Sequence, residues 1–170
     1  LVSVKTNSTA ANTKAGISID ANDAEVTLSN AKTTTGNEKG MLASTAGATS
    51  AGDVEIKNAS SLTMDGVSVV SVSSGTQSGQ AGAITIQANT TTLIDTDVLA
   101  KTESSKNGNQ TASIRIESTT GNLSLTNSTV IGSTTGNNDA GNIILSSAGK
   151  AVMSDSKIFS SSVSTTTTAG

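Results

Sequence analysis

The sequence predicts an all-β fold, a right-handed parallel β-helix (β-solenoid) of about five rungs of roughly 30 residues each. Three observations predict it. An internal repeat runs through most of the 170 residues, each copy opens on alternating apolar and polar residues, and the chain contains no Pro. Alternation with a period of two is typical of strands, repeats of this length are typical of solenoids, and Pro would remove a donor from a β-ladder.

Each repeat opens at Ala-Gly or a similar dipeptide, and successive copies start 36, 30, 30 and 29 residues apart. The dipeptides are Ala15-Gly16, Ala51-Gly52, Ala81-Gly82, Thr111-Ala112 and Ala140-Gly141. A first strand follows each dipeptide, and its alternation predicts two columns of inward side chains. The first column is Ile17, Val54, Ile84, Ile114 and Ile143, and the second is Ile19, Ile56, Ile86, Ile116 and Leu145.

A second strand, a corner and a third strand complete each predicted rung. The second strand carries Val26 and Leu28, Leu62 and Met64, Leu93, Leu123 and Leu125, and Met153. The corner is an Asn or Asp with a small neighbour, at Asn30, Asp65, Asp95, Asn127 and Asp155. These residues bond their own downstream backbone and tolerate left-handed conformations. The third strand carries Val67 and Val69, Val98, Val130 and Ile158, whereas the first copy departs from the pattern with Thr33.

Polar stretches at residues 71–80, 101–110 and 132–139 are predicted to be loops between rungs. The outward positions of the first strand are Ser18, Glu55, Thr85, Arg115 and Ile144, which share no chemistry. One outward position further along, Asp20 lies beside Lys57, and we expect an ion pair between adjacent rungs there. The outer surface is otherwise interpreted as a solvated solenoid face.

The whole chain, residues 1–170, is interpreted as a single β-solenoid domain. Leu1, Val2 and Val4 are typical of the last strand of a preceding rung, and Ala169-Gly170 falls where a sixth rung would begin. Solenoids are normally closed by polar caps. The expectation is therefore a segment of a longer repeat protein or an uncapped fibre subunit.

The composition excludes many kinds of chemistry. Cys, His, Trp and Tyr are absent, so the chain has no thiol nucleophile, no His relay and no common zinc ligand set. The formal net charge is −3, with 10 basic and 13 acidic residues, which does not favour a nucleic-acid partner. No apolar run approaches the length of a membrane span. No cofactor, catalytic residue or metal ligand is predicted.

Three specific functions have weak support in the sequence: acid catalysis, calcium binding and ice binding. Asp95 and Asp97 are the closest acid pair with alternating spacing, yet the corner explains Asp95 and no second acid is expected opposite Asp97. The Asn-rich loops at residues 106–109 and 136–139 carry few acids, so turn formation explains them better than calcium does. Runs of Thr fall at different points of their rungs, which disfavours the regular Thr face of an ice-binding solenoid.

The repeat pattern resembles a known family. Ala-Gly-x-Ile-x-Ile, then Leu-x-Leu-x-Asn-Ser, then Val and a loop rich in Ser, Thr, Gly and Asn resembles the rungs of filamentous-haemagglutinin-like exoproteins. The resemblance covers residues 15–170. It implies a parallel β-helix from the secreted passenger of a two-partner secretion system, located outside the cell or at its surface. The amino-terminal secretion domain of such proteins is not apparent here.

The sequence therefore predicts a noncatalytic, extracellular structural or adhesive solenoid of a bacterial surface or secreted fibre. Its expected partners are host cells, surfaces or further copies of itself, contacted through loops or uncapped ends. One alternative is a filament subunit that stacks head to tail into a homopolymer. A second alternative is a carbohydrate-active β-helix enzyme, which the shortage of aromatic and basic residues disfavours.

Overall fold

The computed structural model describes residues 2–6, 15–29, 40–45, 50–74, 79–103, 113–135 and 140–163. These residues form sixteen strands and no helix, and every strand pairing among them is parallel. The strands make three sheets in which each strand pairs with its equivalents one repeat before and after. The predicted all-β parallel solenoid is confirmed.

Each rung contributes one strand to each sheet, in the order sheet B, sheet C and sheet A. Sheet B holds β2 (Ile17–Asp20), β5 (Val54–Ala59), β8 (Ile84–Ala88), β11 (Ile114–Ser118) and β14 (Ile143–Ser147). Sheet C holds β3 (Glu25–Ser29), β6 (Ser61–Asp65), β9 (Thr91–Ile94), β12 (Leu123–Thr126) and β15 (Ala151–Ser154). Sheet A holds β1 (Val2–Thr6), β4 (Gly40–Thr45), β7 (Ser68–Ser73), β10 (Asp97–Thr102), β13 (Thr129–Thr135) and β16 (Lys157–Val163).

The predicted inward columns are confirmed by the strand register. The residues of the first column pair from rung to rung, in the order Ile17, Val54, Ile84, Ile114 and Ile143. The second column aligns in the same way. Ile56, Ile86 and Ile116 are 0% exposed, because each has a rung above and below it. The first strand therefore supplies the centre of one continuous hydrophobic core.

The corner is confirmed as a left-handed position, with one correction to its register. Asp95, Asn127 and Asp155 have φ of 48°, 47° and 50°. In the second rung the left-handed residue is Gly66 (φ 64°), and Asp65 is instead the last residue of β6, opposite Ile94. Aligning Asp65 with Asp95 was therefore wrong by one residue, because glycine takes the left-handed position most easily. The predicted corner at Asn30 lies outside the described residues.

The third strand differs most from its prediction. In the first rung it is β4, where Met41 occupies the column of Val69, eight residues beyond the predicted Thr33, which itself lies outside the described residues. The strands also extend further than expected, since residues 71–73, 101–102 and 132–135 belong to β7, β10 and β13 rather than to loops. The predicted strand at the start of the chain is confirmed, as β1 pairs with β4 from Val2 to Thr6.

The Ala-Gly dipeptides have a packing reason. A Cβ placed on Gly52 would overlap the carbonyl oxygen of Ala15, and one on Gly82 would overlap that of Gly52. Adjacent backbones approach closely at this turn, so a side chain on Gly52 or Gly82 would force the neighbouring rung to shift. Ala15 rather than Gly16 lies against Gly52, so the first dipeptide is displaced by one residue from the others. Thr111-Ala112 lies outside the described residues.

Small hydroxyl side chains form part of the interior. In the five sheet A strands from β4 to β16, the inward position nearest the strand end is Thr45, Ser73, Thr102, Thr134 or Ser162 by register. The Thr102 Oγ1 accepts a hydrogen bond of 2.9 Å from the backbone N–H of Ala81. In β7, one inward position before Ser73, Ser71 Oγ donates a hydrogen bond to the Gly52 carbonyl and accepts one from the Gly82 N–H, at 3.1 and 2.8 Å. These hydroxyls attach sheet A to the glycine turns.

We expect Thr91→Val to stabilise the protein. Thr91 is an inward residue of β9, 1% exposed, between Leu62 and Leu123, and its Oγ1 has no hydrogen-bond partner among the described residues. Valine keeps the shape and removes a buried hydroxyl, which should raise the free energy of unfolding by about 1 kcal/mol. Urea denaturation measures the change. An unchanged or lower stability would mean that the hydroxyl is satisfied in solution.

Candidate interaction surfaces

The predicted ion pair between Asp20 and Lys57 is present as a long contact. Lys57 Nζ lies 4.0 Å from Asp20 Oδ2 and only 3.3 Å from Glu55 Oε2 on its own strand. The stronger partner of Asp20 is Asn58, whose Nδ2 donates to Asp20 Oδ1 at 3.0 Å. Asn58 has a φ of 55°, so this left-handed residue turns its amide toward the neighbouring rung.

These contacts lower the pKa of Asp20 below its usual range. The largest cause is the hydrogen bond from the Asn58 side chain, followed by the backbone N–H of Asn22, with a smaller contribution from Lys57. Each contact favours the charged carboxylate. Because the folded pKa is depressed, the associated stability is present above the unfolded pKa and is lost as the pH falls through the folded value.

We expect Asn58→Gly to raise the pKa of Asp20 toward its ordinary value. Glycine accepts the left-handed backbone and removes only the side-chain donor. An NMR titration of the Asp20 carboxyl carbon measures the pKa. Lys57→Gln is the matched comparison and should cause a smaller rise, because Lys57 is the weaker contributor. A larger rise for Lys57→Gln would show that charge, not hydrogen bonding, governs this carboxyl.

The acid pair considered from the sequence does not lie on one strand face. Asp95 occupies the corner before β10, and its Oδ1 accepts a short hydrogen bond from Asn127 Nδ2 in the next rung. Asp97 is the first residue of β10, with its side chain exposed, and its sheet neighbours are Ser68 and Thr129. The two carboxylates therefore have separate environments, one in a corner and one on the outer face of sheet A.

Other charged side chains form contacts along their own strands. Arg115 donates from Nε and Nη2 to Glu117 Oε2, at 3.1 and 2.8 Å. Gln87 also contacts Glu117 from the neighbouring rung. Across the described ranges, no group of three or more acidic side chains is placed to hold a metal ion. The loops considered for calcium, residues 106–109 and 136–139, lie outside those ranges.

The most regular surface feature is an apolar column on the outer face of sheet A, which we call the outer ladder. It consists of Leu42, Val70, Leu99, Ile131 and Phe159, which share one register position in five adjacent strands. Their neighbours along each strand point inward, so these side chains point outward. The first four are half-buried and Phe159 is 50% exposed. An outward column of large apolar residues is unusual on a solvated sheet.

A shallow groove of about 590 Å³ follows the middle of the ladder, and Val70, Leu99 and Ile131 form its apolar floor. Charged residues flank the floor in the central rung. Asp97 lies two residues before Leu99, and Lys101 lies two residues after it and contacts Glu103 at 2.5 Å. The groove therefore has an apolar centre, with Asp97 on one side and the Lys101–Glu103 ion pair on the other.

The outer ladder was not predicted from the sequence, because only the inward residues of the third strands were compared between rungs. The signal is nevertheless present as consecutive apolar pairs in each copy: Met41-Leu42, Val69-Val70, Val98-Leu99, Val130-Ile131 and Ile158-Phe159. A half-buried strand needs only every second residue to be apolar. The second member of each pair is therefore unexplained by the core and marks an outer surface.

The last described rung exposes residues that belong to inward columns. Met153 and Ile158 are 45% and 39% exposed, although their equivalents Leu125 and Val130 in the rung before are 0% exposed. No strand within the described ranges pairs with the far edges of β14, β15 and β16. The hydrophobic interior therefore reaches the surface of the described structure at this end.

No protein family, curated protein or solved structure matches the chain. The resemblance to filamentous-haemagglutinin-like exoproteins stays a prediction. The described residues contain no helix long and apolar enough to cross a membrane.

Proposed function

We propose that this chain is a noncatalytic structural and adhesive β-solenoid of a bacterial surface or secreted fibre. The observation that supports the proposal is the in-register stacking of five rungs around one hydrophobic core. Parallel rungs at a spacing of about 4.8 Å make a stiff shaft whose length grows with the number of repeats. Such a shaft holds its loops and outer faces at fixed positions, as an adhesive fibre requires.

The resemblance of the repeat to two-partner secretion passengers supports an extracellular location. The composition of the chain agrees with that proposal, because its 56 Ser and Thr residues, although some of them are buried, supply many neutral hydroxyl groups. Hydroxyl-rich faces remain hydrated without a large net charge. Contacts with a host cell or another surface would then be made by the loops.

Immunogold labelling of cells that produce the protein tests the location. We expect label on the outside of intact cells, and loss of that label after brief external proteolysis. Label that appears only after lysis would contradict the proposal.

The noncatalytic part is tested by measuring reducing ends released from a panel of polysaccharides. Cleavage that Asp97→Asn abolishes would overturn it in favour of a carbohydrate-active enzyme.

A second candidate function is a filament subunit that stacks end to end. Met153 and Ile158 are exposed in the last described rung, and a rung of a second copy placed there would bury both side chains. Light scattering across a dilution series tests this candidate. Ile158→Lys should abolish scattering by filaments, whereas Lys157→Gln on the outer face of the same strand should not. Particles of constant mass at every concentration would remove the candidate.

A further inference from the structure

We propose that two copies of this chain pair side by side through the outer ladder, with their solenoid axes parallel and pointing in the same direction. This inference goes beyond the proposed function, because a noncatalytic shaft need not pair. It rests on three properties of the outer face of sheet A: its apolar column, its repeat distance and the placement of its charges.

A partner that covers the apolar column has to match its spacing. Leu42, Val70, Leu99, Ile131 and Phe159 recur once per rung, at the roughly 4.8 Å spacing of neighbouring strands. Another β-solenoid face has the same repeat, so its side chains remain in step with the ladder over all five rungs. A second copy of this chain supplies such a face with the same apolar column, and a two-fold axis brings the two columns together.

Two symmetric arrangements can bring the ladders together. A two-fold axis along the ladder makes the solenoids parallel and reverses the strand direction between the facing sheets. The residue before the ladder then lies opposite the residue after the ladder in the same rung of the partner copy. A two-fold axis along the central strand makes the solenoids antiparallel, and each flanking residue of the central rung then lies opposite its own copy.

The charges distinguish these arrangements. Asp97 precedes the ladder and Lys101 follows it, both in the central rung, and both side chains point outward. In the parallel arrangement Asp97 lies opposite Lys101 of the second copy, twice by symmetry. In the antiparallel arrangement Asp97 faces Asp97 and Lys101 faces Lys101. Unlike charges opposite each other favour association and like charges oppose it, so the parallel arrangement is selected.

The remaining flanking residues are compatible with either arrangement. The other positions before the ladder are Gly40, Ser68, Thr129 and Lys157, and those after it are Ser44, Val72, Ser133 and Ser161. The parallel pairing places none of these opposite a like charge. Lys101 also contacts Glu103, the residue that follows β10, so in the dimer its ammonium group would be shared between Glu103 and the incoming Asp97.

The size of the face sets the expected strength. Five rungs by about six residues of strand cover on the order of 500 Å² on each copy. Stable dimers usually bury roughly 800 Å² on each partner. We therefore expect a weak dimer that forms at high protein concentration and dissociates on dilution.

Sedimentation velocity across a concentration series measures the pairing. We expect the wild-type chain to shift from monomer toward dimer as its concentration rises. Leu99→Ser combined with Ile131→Ser removes two apolar side chains from the ladder, and this double variant should raise the dissociation constant by about tenfold or more. Ile144→Ser is the matched control, because Ile144 is an outward residue of sheet B and 45% exposed. The control should dimerise like the wild type. A monomeric wild-type chain, or equal weakening by the control, would overturn the proposal.

A charge exchange tests the selected orientation without altering the ladder. Asp97→Lys and Lys101→Asp should each weaken the dimer several-fold, because each places like charges opposite one another. The double exchange restores unlike pairs and should return the dissociation constant to within about twofold of the wild type. Circular dichroism confirms that each variant stays folded. Failure of the double exchange to restore pairing contradicts the parallel arrangement.

Cross-linking gives a readout that does not depend on affinity. The chain has no Cys, so Leu42→Cys and Phe159→Cys each introduce one thiol at opposite ends of the ladder. A short bismaleimide should join each variant to itself in the parallel dimer. In a mixture of the two variants, a link between positions 42 and 159 would demonstrate the antiparallel arrangement and overturn the proposal.

Discussion

Replacing Ile86 by Ala should lower the free energy of unfolding by about 2–5 kcal/mol, the usual range for a buried Ile with neighbours on all sides. Ile86 is 0% exposed in the central rung and stacks between Ile56 and Ile116. Truncation removes contacts with both adjacent rungs at once. The cavity would lie inside a wall of hydrogen-bonded backbone, which limits how far the surrounding side chains can move to fill it.

Urea denaturation followed by circular dichroism measures this loss. Thr85→Ala is the matched control, because Thr85 precedes Ile86 on the same strand and points outward. The control should change the stability by no more than about 0.5 kcal/mol. Similar losses for the two variants would mean that β8 does not have one inward and one outward face, and the assignment of the core columns would then be wrong.

The first strand of each rung could be predicted because its pattern is strong and local. Ile84, Ile86 and their equivalents recur at the same distance from the dipeptide in every copy but the first, and alternation alone assigns them to the interior. In a parallel solenoid the repeat also fixes which strands pair, so one period in the sequence defines the sheet order. The same reasoning identified the neighbourhood of Asp20 and Lys57 from register alone.

The third strand was harder to predict because its interior is partly polar. Ser71, Ser73 and Thr102 are at most 1% exposed, yet in a chain so rich in Ser and Thr they are indistinguishable from loop residues. Two of these hydroxyls, those of Thr102 and Ser71, accept hydrogen bonds from the backbone of Ala81 and Gly82, whereas the Ser73 hydroxyl has no partner among the described residues. A hydroxyl group becomes acceptable inside when its hydrogen bond is made there, and composition does not reveal this.

The outer ladder shows a different limit. Its members are apolar, so a search for charged or catalytic residues passes over them, and each could be assigned to the core if considered alone. Only the register shows that Val69 points inward while Val70 points outward. The two-residue apolar pairs become meaningful once the inward column is fixed, because the pleat allows only one member of each pair to face the core.

The glycine turns also explain why the Ala-Gly dipeptide recurs, which the sequence alone does not reveal. Ala-Gly recurs at the start of most rungs, and the structure attributes the Gly to the close approach of adjacent backbones. Neither Gly52 nor Gly82 has a left-handed backbone, so conformational freedom is not the reason for glycine there. The constraint is the space between rungs, and it should therefore be sensitive to a single added methyl group.

Replacing Gly82 by Ala should accordingly destabilise the protein by about 2 kcal/mol or more, within the range of severe overpacking. The new Cβ would overlap the carbonyl oxygen and carbon of Gly52, and a backbone cannot rotate away as a side chain can. The rungs would have to separate locally. Such a separation would strain the hydrogen bonds that Ser71 Oγ makes with Gly52 and Gly82.

Gly132→Ala is the matched control for the same chemical change. Gly132 lies in an inward column of sheet A between Ala100 and Ser160, and a Cβ there would meet Ile143 Cγ1 at 3.4 Å, an ordinary contact. Because Gly weakens a strand interior, Ala should stabilise this site by about 0.5 kcal/mol. Thermal and urea unfolding of both variants would therefore show opposite signs. If Gly82→Ala were as stable as the wild type, close contact between adjacent rungs could not be the reason for the repeated glycine.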